Sequence, residues 1–327
     1  MWLLTLLGLA IVFIVLTTTR LKLHPFLALL LAALGYGVAS GRMSLAEVVK
    51  AVNGGFGDTI GAIGIVILAG SIIGTFLEKS GGAFSLAERT IRAVGQKNVP
   101  LAMGLIGYIV SIPVFCDSGF VVLSPLAKAM SRRAGVPLAA SAIALSMGLY
   151  ATHTMVPPTP GPIAAAGFLK ADLGLVILWG LLVSLVAFVA GWLFALIATR
   201  RIPVTSGAAD AASPEPVMDA RRPSALKSIL PILVPIVLIV LKSLADLPDS
   251  PLGKGGLPHL ASFIGHPVVA LLIGVFLAFL LPARLTREML STSGWVGEAV
   301  LAAATIIIIT GSGGAFAKVL QGSGIGN

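Results

Sequence analysis

The sequence predicts an all-α polytopic membrane protein folded as an inverted repeat, with a re-entrant hairpin and a broken helix in its first copy. Three observations carry that prediction. Of 327 residues, 57% are hydrophobic and only 11% charged, against about 25% charged in an average soluble protein; the mean hydropathy is +1.03. Apolar runs near the 20 residues that a span needs recur along the chain. Short motifs from the start of the chain return near its end in the same order. The net charge of +9 does not mean nucleic acid, because Lys and Arg lie in short loops between apolar runs, as orientation signals do. Cys116 is the single cysteine, so no internal disulfide is expected.

Trp2–Thr19 reads as a first span, since it lacks the basic start and A-x-A site of a cleaved signal. Pro25–Val38 follows after Arg20 and Lys22. Leu45–Gly55 is short and mixed, so an interfacial segment is expected there. Thr59–Leu77 is the third span, and Gly57, Gly61, Gly64, Gly70 and Gly74 keep one face small for close helix packing. Glu78–Asn98 reads as a polar loop. Leu101–Ile112 and Phe120–Met130 are each too short to span. Leu138–Tyr150 and Ile163–Leu169 flank a second interruption, and Leu175–Ala198 is a full span. Thr199–Ser224, rich in Ala, Pro, Ser and charge, reads as a disordered linker. Ile229–Leu244 is a span, Leu247–Leu260 a Pro/Gly-rich loop, and Pro267–Leu281 and Val296–Val319 complete the chain.

Charge suggests the orientation. With Arg20 and Lys22 inside, the N-terminus is outside, span two runs outward and span three returns. The loop with Lys79, Arg89, Arg92 and Lys97 is then cytoplasmic. Arg132 and Arg133 can join that side only if Leu101–Met130 enters and comes back, as a hairpin with its tip near Pro113–Gly119. The alternative, two ordinary short spans, would put Arg132 and Arg133 outside. Arg200, Arg201, Arg221, Arg222, Lys227, Arg284 and Arg287 fall inside as well.

The repeat rests on three pairings. His24-Pro25 returns as His266-Pro267, Ala69-Gly70-Ser71 as Thr310-Gly311-Ser312, and Gly57-Asp58 as Gly297-Glu298, with offsets of 242, 241 and 240. Span two and its partner at Pro267 run in opposite directions, so the repeat is inverted, an architecture of transporters. The expected organisation is a first transmembrane repeat over 1–199, with the hairpin at about 99–133 and the broken helix at about 138–170. A cytoplasmic linker over 200–225 and a partial second repeat over 226–327 follow. The second copy's hairpin and broken helix are missing, so repeat arithmetic expects a complete protein of roughly 440 residues.

Two residues stand out chemically. Asp117 lies between Pro113 and Gly119, where a carboxylate at mid-bilayer costs about 2.5–3.5 kcal/mol and usually lines a pathway. Non-helical backbone is tolerated at that depth only where it lines a cavity, and the helix starting near Ser118–Phe120 would point its N–H groups at an anion. Asp117 fits proton or cation coupling or contacts to sugar hydroxyls; capping that helix is the other reading. His153 lies between Thr152 and Thr154, just before V-P-P-T-P-G-P. Those prolines remove N–H donors and unwind the helix, and histidine changes charge near neutral pH. Its other reading is a structural donor to a freed carbonyl. Asp58 and Glu298 read as helix caps, His24 and His266 as interfacial, and Cys116 as a packing residue. The Gly311-Ser312-Gly313-Gly314 run reads as a broken or closely packed helix. No metal-ligand cluster, cofactor motif or Ser-His-Asp spacing is evident.

The P-V-F-C-D-S-G-F run at 113–120, with Gly57-Asp58, G-S-I-I-G-T-F-L-E-K-S-G-G-A at 70–83 and T-H-T-M-V-P-P-T-P-G-P at 152–162, resembles the gluconate permease (gluconate:proton symporter) family. The likeness runs through the chain and is strongest over 54–167. It implies inward, proton-coupled transport of gluconate or a related sugar or hydroxy acid across the inner membrane, and not an enzyme. The wider group of ion-coupled carboxylate transporters shares the inverted repeats and suggests a homodimer. On this reading the substrate carboxylate would sit at the helix N-termini of the hairpin and broken helix, near Gly119 and Gly161. Substrate hydroxyls would meet Ser118, Thr152, Thr154 and Thr159, and Asp117 or His153 would carry the proton. A sodium-coupled carboxylate transporter is the close alternative. A membrane enzyme using Asp117 and His153, and a non-transporting subunit, are the others.

Overall fold

The computed structural model describes residues 1–95, 98–199, 222–246 and 256–325, the side chains of 256–258 excepted. Among these residues there are thirteen α-helices and no strand. Five of the helices are long and apolar enough to cross a membrane by length and composition.

The first two helices, α1 (Trp2–Thr19) and α2 (Pro25–Ser40), follow the apolar runs. His24 caps α2, its Nδ1 accepting from the Phe26 N–H at 3.3 Å. Pro25 stands at the first turn, where its missing N–H has no partner to lose.

The next helix departs from expectation. Leu45–Lys79 is one 35-residue helix, α3, not an interfacial piece followed by a span. Its start carries a capping box: Glu47 accepts from the Ser44 N–H at 2.7 Å, and the Glu47 N–H donates to Ser44 Oγ at 3.3 Å. The Gly-Gly-Phe-Gly run at 54–57 does not break it, because α13 (Trp295–Gly322) packs directly on it. A Cβ on Gly55 would collide with the Gly314 carbonyl. Asp58 is therefore inside a helix and not at a cap. Its carboxylate lies 3.6 Å from Lys318 Nζ, both groups exposed. The Gly311–Gly314 run is unbroken helix and packs closely, Gly311 against Phe56 and Gly314 against Thr59.

The expected polar loop Glu78–Asn98 contains a helix, α4 (Gly82–Val94). Its buried residues Ala83, Leu86, Ala87 and Ile91 recur at helical spacing, while Glu88 and Arg92 pair on the outer side. Lys97 lies outside the described residues. After it come α5 (Val99–Val110), α6 (Cys116–Ala134), α7 (Leu138–Met155), α8 (Pro160–Leu169) and α9 (Leu173–Thr199). Then follow α10 (Ala225–Ala245), α11 (Gly256–Ile264), α12 (Pro267–Ala278) and α13. Most of the expected linker, residues 200–221, falls outside the described residues. So do residues 247–255 of the expected loop, whose last part instead begins α11.

Contacts divide the chain into two units. The first comprises Met1–Ile65, Gly167–Lys170 and Ala302–Asn327. It buries Leu6, Ala10, Ala33, Tyr36, Val52, Ala315 and Val319 as one cluster, and Tyr36 Oη shares a hydrogen bond with Ser323 Oγ at 3.2 Å. The second comprises Val66–Ala166 and Ala171–Leu301. There α5 and α7 touch backbone to backbone: a Cβ on Gly148 would collide with the Gly104 carbonyl, and one on Gly107 with Leu145. Helix α9 runs antiparallel to α7, Gly191 meeting Met147 and Gly180 meeting Met155. Ile177, Ile239 and Ala270 join α9, α10 and α12 in a small apolar core. In this unit Phe76 meets Trp295 edge-on with centroids 5.1 Å apart, and Glu298 pairs with Lys79.

Candidate functional site

The two interruptions lie in the second unit. The first is Ser111–Phe115, between α5 and α6. Ser111 Oγ donates to the Val114 carbonyl at 3.1 Å and closes the turn. Helix α6 begins at Cys116, with Phe115 at its cap position and no side chain capping it. Asp117 therefore stands inside the first turn and does not cap a helix starting at Ser118–Phe120. The negative charge still suits a helix N-terminus. Its carboxylate is exposed and accepts from the Cys116 thiol at 3.6 Å. Ser118 is half-buried, and Gly119 is buried with Leu149 against it. Farther along α6, Pro125 removes the N–H that would pair with the Val121 carbonyl; Ser124 Oγ donates to that carbonyl instead, at 3.2 Å.

The second interruption is Val156–Thr159. Helix α7 continues through Tyr150 to Met155, so Thr152, His153 and Thr154 occupy its last turn and not an unwound stretch. A helical threonine hydroxyl finds its acceptor one turn back. Thr152 Oγ1 donates to the Gly148 carbonyl at 3.4 Å and Thr154 Oγ1 to the Tyr150 carbonyl at 2.7 Å. Thr159, in the break itself, donates to the Val156 carbonyl at 2.6 Å. Thr152 and Thr159 are buried; Thr154 and Gly161, the latter in the first turn of α8, are exposed. Pro157 and Pro158 are joined by a cis bond.

The fold brings the two interruptions together. Phe115, the residue before α6, meets the His153 ring edge-on, with centroids 5.9 Å apart. Asp117 is near enough for its charge to act on the imidazole. His153 Nδ1 is buried without a hydrogen-bond partner, and among the described residues Trp192 Nε1 is the one other such side-chain atom. A buried polar atom left unpaired costs about 1–3 kcal/mol, so its presence at the junction of the two interruptions calls for a role. Sequence reasoning does not single out Tyr150. It stands one turn before Thr154 and is 51% exposed. The available signal is that it is the one large aromatic in a helix of small and aliphatic residues.

An apolar cleft is lined by residues of both interruptions. Ile112, Pro113, Pro157 and Pro158 line it, together with Ile73 and Pro235 among others, but Asp117 and His153 do not. It offers no polar side chain to a hydrated anion, which would lose its water there without compensation. Among the described residues no group of three His, Cys, Asp or Glu could hold a metal ion.

The profile of GntP family permeases matches residues 1–327. The chain is 36% identical to the gluconate permease of Pseudomonas aeruginosa, over 97% of the chain and 70% of that protein. It is 35% identical to the D-serine transporter DsdX of Escherichia coli K12, over 99% of the chain and 72% of that protein. Against the Gnt-II system L-idonate transporter of the same strain the identity is 31%, over 94% of the chain and 69% of the relative. No solved structure matches the chain. These relatives are permeases and transporters rather than enzymes. With its run of span-length apolar helices and this match over its whole length, the chain belongs to the GntP permease family.

Proposed function

We propose that the protein is a proton-coupled symporter that imports gluconate or a related sugar or hydroxy acid across the bacterial inner membrane. The observation that carries this reading is the meeting of Phe115 and His153, which joins the first turn of α6, with the exposed Asp117, to the last turn of α7, with its buried, unpaired imidazole nitrogen. An ionised Asp117 repels an anion; a protonated one does not. Proton binding at Asp117, or exchange between it and His153, would therefore precede binding of the substrate carboxylate at the N-terminal turns of α6 and α8. Thr154 and Gly161 are exposed and Ser118 is half-buried, so these three would meet the substrate first. Thr152, Thr159 and Gly119 are buried and would come within reach only as the two interruptions part.

Ion pairs support the placement in the membrane and the inverted repeat. Asp58 pairs with Lys318 and, in return, Lys79 pairs with Glu298. The acid of each copy thus meets a lysine of the other, as a two-fold relation between copies requires. Along α3 itself, Asp58 to Lys79 is about 30 Å of helix, the thickness of a bilayer's hydrocarbon core, with no charge from Thr59 to Leu77. We place Lys79 at the cytoplasmic face, with the N-terminus outside. The tip meets α3 at Gly74, about 8 Å along the helix from Lys79. That short depth favours a hairpin that enters from the cytoplasm and returns. The proposed division remains a first repeat over 1–199, a cytoplasmic linker over 200–225 and a partial second repeat over 226–327, in a homodimer.

The test is uptake of labelled gluconate by proteoliposomes holding the protein, under imposed pH or sodium gradients. An inward proton gradient should drive accumulation, and a protonophore should collapse it. Accumulation that follows sodium and ignores pH would overturn proton coupling.

A further inference from the structure

The two interruptions share a seat on α3. Gly70 and Gly74 stand one turn apart and so lie on one face. A Cβ on Gly70 would come within 3.3 Å of the Pro158 ring carbons and 3.4 Å of its carbonyl oxygen. On Gly74 it would strike the Pro113 carbonyl oxygen itself. Between the glycines, Ile73 is buried and lines the cleft with Pro113 and Pro158. Ser71, also buried, donates from Oγ to the Ala299 carbonyl at 2.9 Å and ties the same turn to α13.

We infer that the Gly70–Gly74 turn of α3 is the positioning element that sets the hairpin tip and the broken helix relative to each other, and hence sets how closely Asp117 faces His153. The inference rests on the proposed reading of the site. Two segments far apart in sequence, Pro113 and Pro158, press on one turn of one helix. The Gly74 contact needs a residue without a Cβ, and a Cβ on Gly70 would crowd Pro158. A shift of either interruption is therefore transmitted to the other through this turn or is blocked by it. The other glycines of α3 are not equivalent: nothing lies within 4 Å of a Cβ on Gly61.

The two contacts differ in kind, and the difference gives graded expectations. Gly70→Ala asks Pro158 to give by a few tenths of an ångström. Gly74→Ala must move the tip backbone, and a misplacement of about 1 Å can cost roughly a hundredfold in a positioned reaction. Gly61→Ala is the control on the same helix. Cys116, the single cysteine and the first residue of α6, reports the tip directly.

The experiment measures gluconate uptake kinetics and the rate of maleimide alkylation of Cys116 in proteoliposomes for the parent and these three variants. Gly74→Ala should raise KM at least tenfold and change the Cys116 alkylation rate several-fold. Gly70→Ala should do both to a smaller degree, and Gly61→Ala should match the parent. Parental KM and parental alkylation in Gly70→Ala and Gly74→Ala would overturn the inference, as would equal shifts in Gly61→Ala. If Gly74→Ala does not fold, Gly70→Ala against Gly61→Ala still decides it. The alkylation arm needs no assumption about the coupling ion, so it stands even if uptake proves to be driven by sodium.

Discussion

The hairpin tip and the proline break solve the same problem in opposite ways. Both interrupt helices in apolar sequence, and both free backbone groups that lipid cannot satisfy. At the tip, Ser111 closes the turn inward and the charged residue, Asp117, is left exposed on the first turn of the next helix. At the proline break the polar groups turn inward: Thr159 is buried on the Val156 carbonyl, and His153 is withdrawn into the last turn of α7 with an unpaired nitrogen. On the proposed reading the tip presents chemistry and the proline break holds it in reserve; the two meet through Phe115 and His153.

That contrast can be broken at several points. The largest effect expected is on transport. His153→Ala removes the reserve side of the site and should lower gluconate uptake at least tenfold, about 1.4 kcal/mol of barrier, while the purified protein melts within a few degrees of the parent. Unchanged uptake would make the proline break purely structural.

Next comes a pair of threonines. Thr159→Val deletes a buried hydrogen bond and should cost about 1 kcal/mol of stability. Thr154→Val is exposed and should change stability by no more than about 0.5 kcal/mol, yet raise KM. Thermal melts and uptake kinetics on both variants separate a holding hydroxyl from a contacting one.

A smaller effect tests the frame around the two interruptions. Lys79→Glu should lower stability by at most about 1 kcal/mol, because the pair with Glu298 is partly exposed. Adding Glu298→Lys should restore it, and a melt of the double reversal that stays low would sink the pairing.

The smallest concerns Asp246, just beyond the end of α10 and outside the span. The Lys242 ammonium and then the Ser262 hydroxyl hold its carboxyl below the usual carboxylate range. A depressed folded value adds stability that is present above the unfolded pKa of about 3.9 and is lost as pH falls through the folded value. Asp246→Asn should therefore melt slightly lower than the parent at neutral pH, and the two curves should converge in acid.

Much of the helical frame was legible because lipid demands long apolar runs. The bounds of α1 coincide with its run, and His24-Pro25 and His266-Pro267 both announce a helix start that the structure uses. The continuity of α3 was not legible from glycine content, since what rescues Gly55 is a carbonyl on a distant helix. The Ser44-x-x-Glu47 box did mark its start. Helix α4 hid because its buried face is mostly Gly and Ala, interleaved with charge. At the site, the residue types of Asp117 and His153 and the presence of two interruptions could be read. That the two interruptions form one site could be expected as well; the contact that joins them could not, because it runs through Phe115, an ordinary apolar residue in sequence. Nor could hydropathy tell which threonines spend their hydroxyls on their own helix.

The central claim is that Asp117, exposed at the tip, carries the coupling proton. Asp117→Asn in proteoliposomes tests it most directly, with net accumulation under a proton gradient and gluconate counterflow measured on the same preparation. The asparagine stands in for a permanently protonated carboxyl, so substrate exchange should persist while proton-driven accumulation falls to background. Accumulation at the parental level, with the parental dependence on pH, would contradict it.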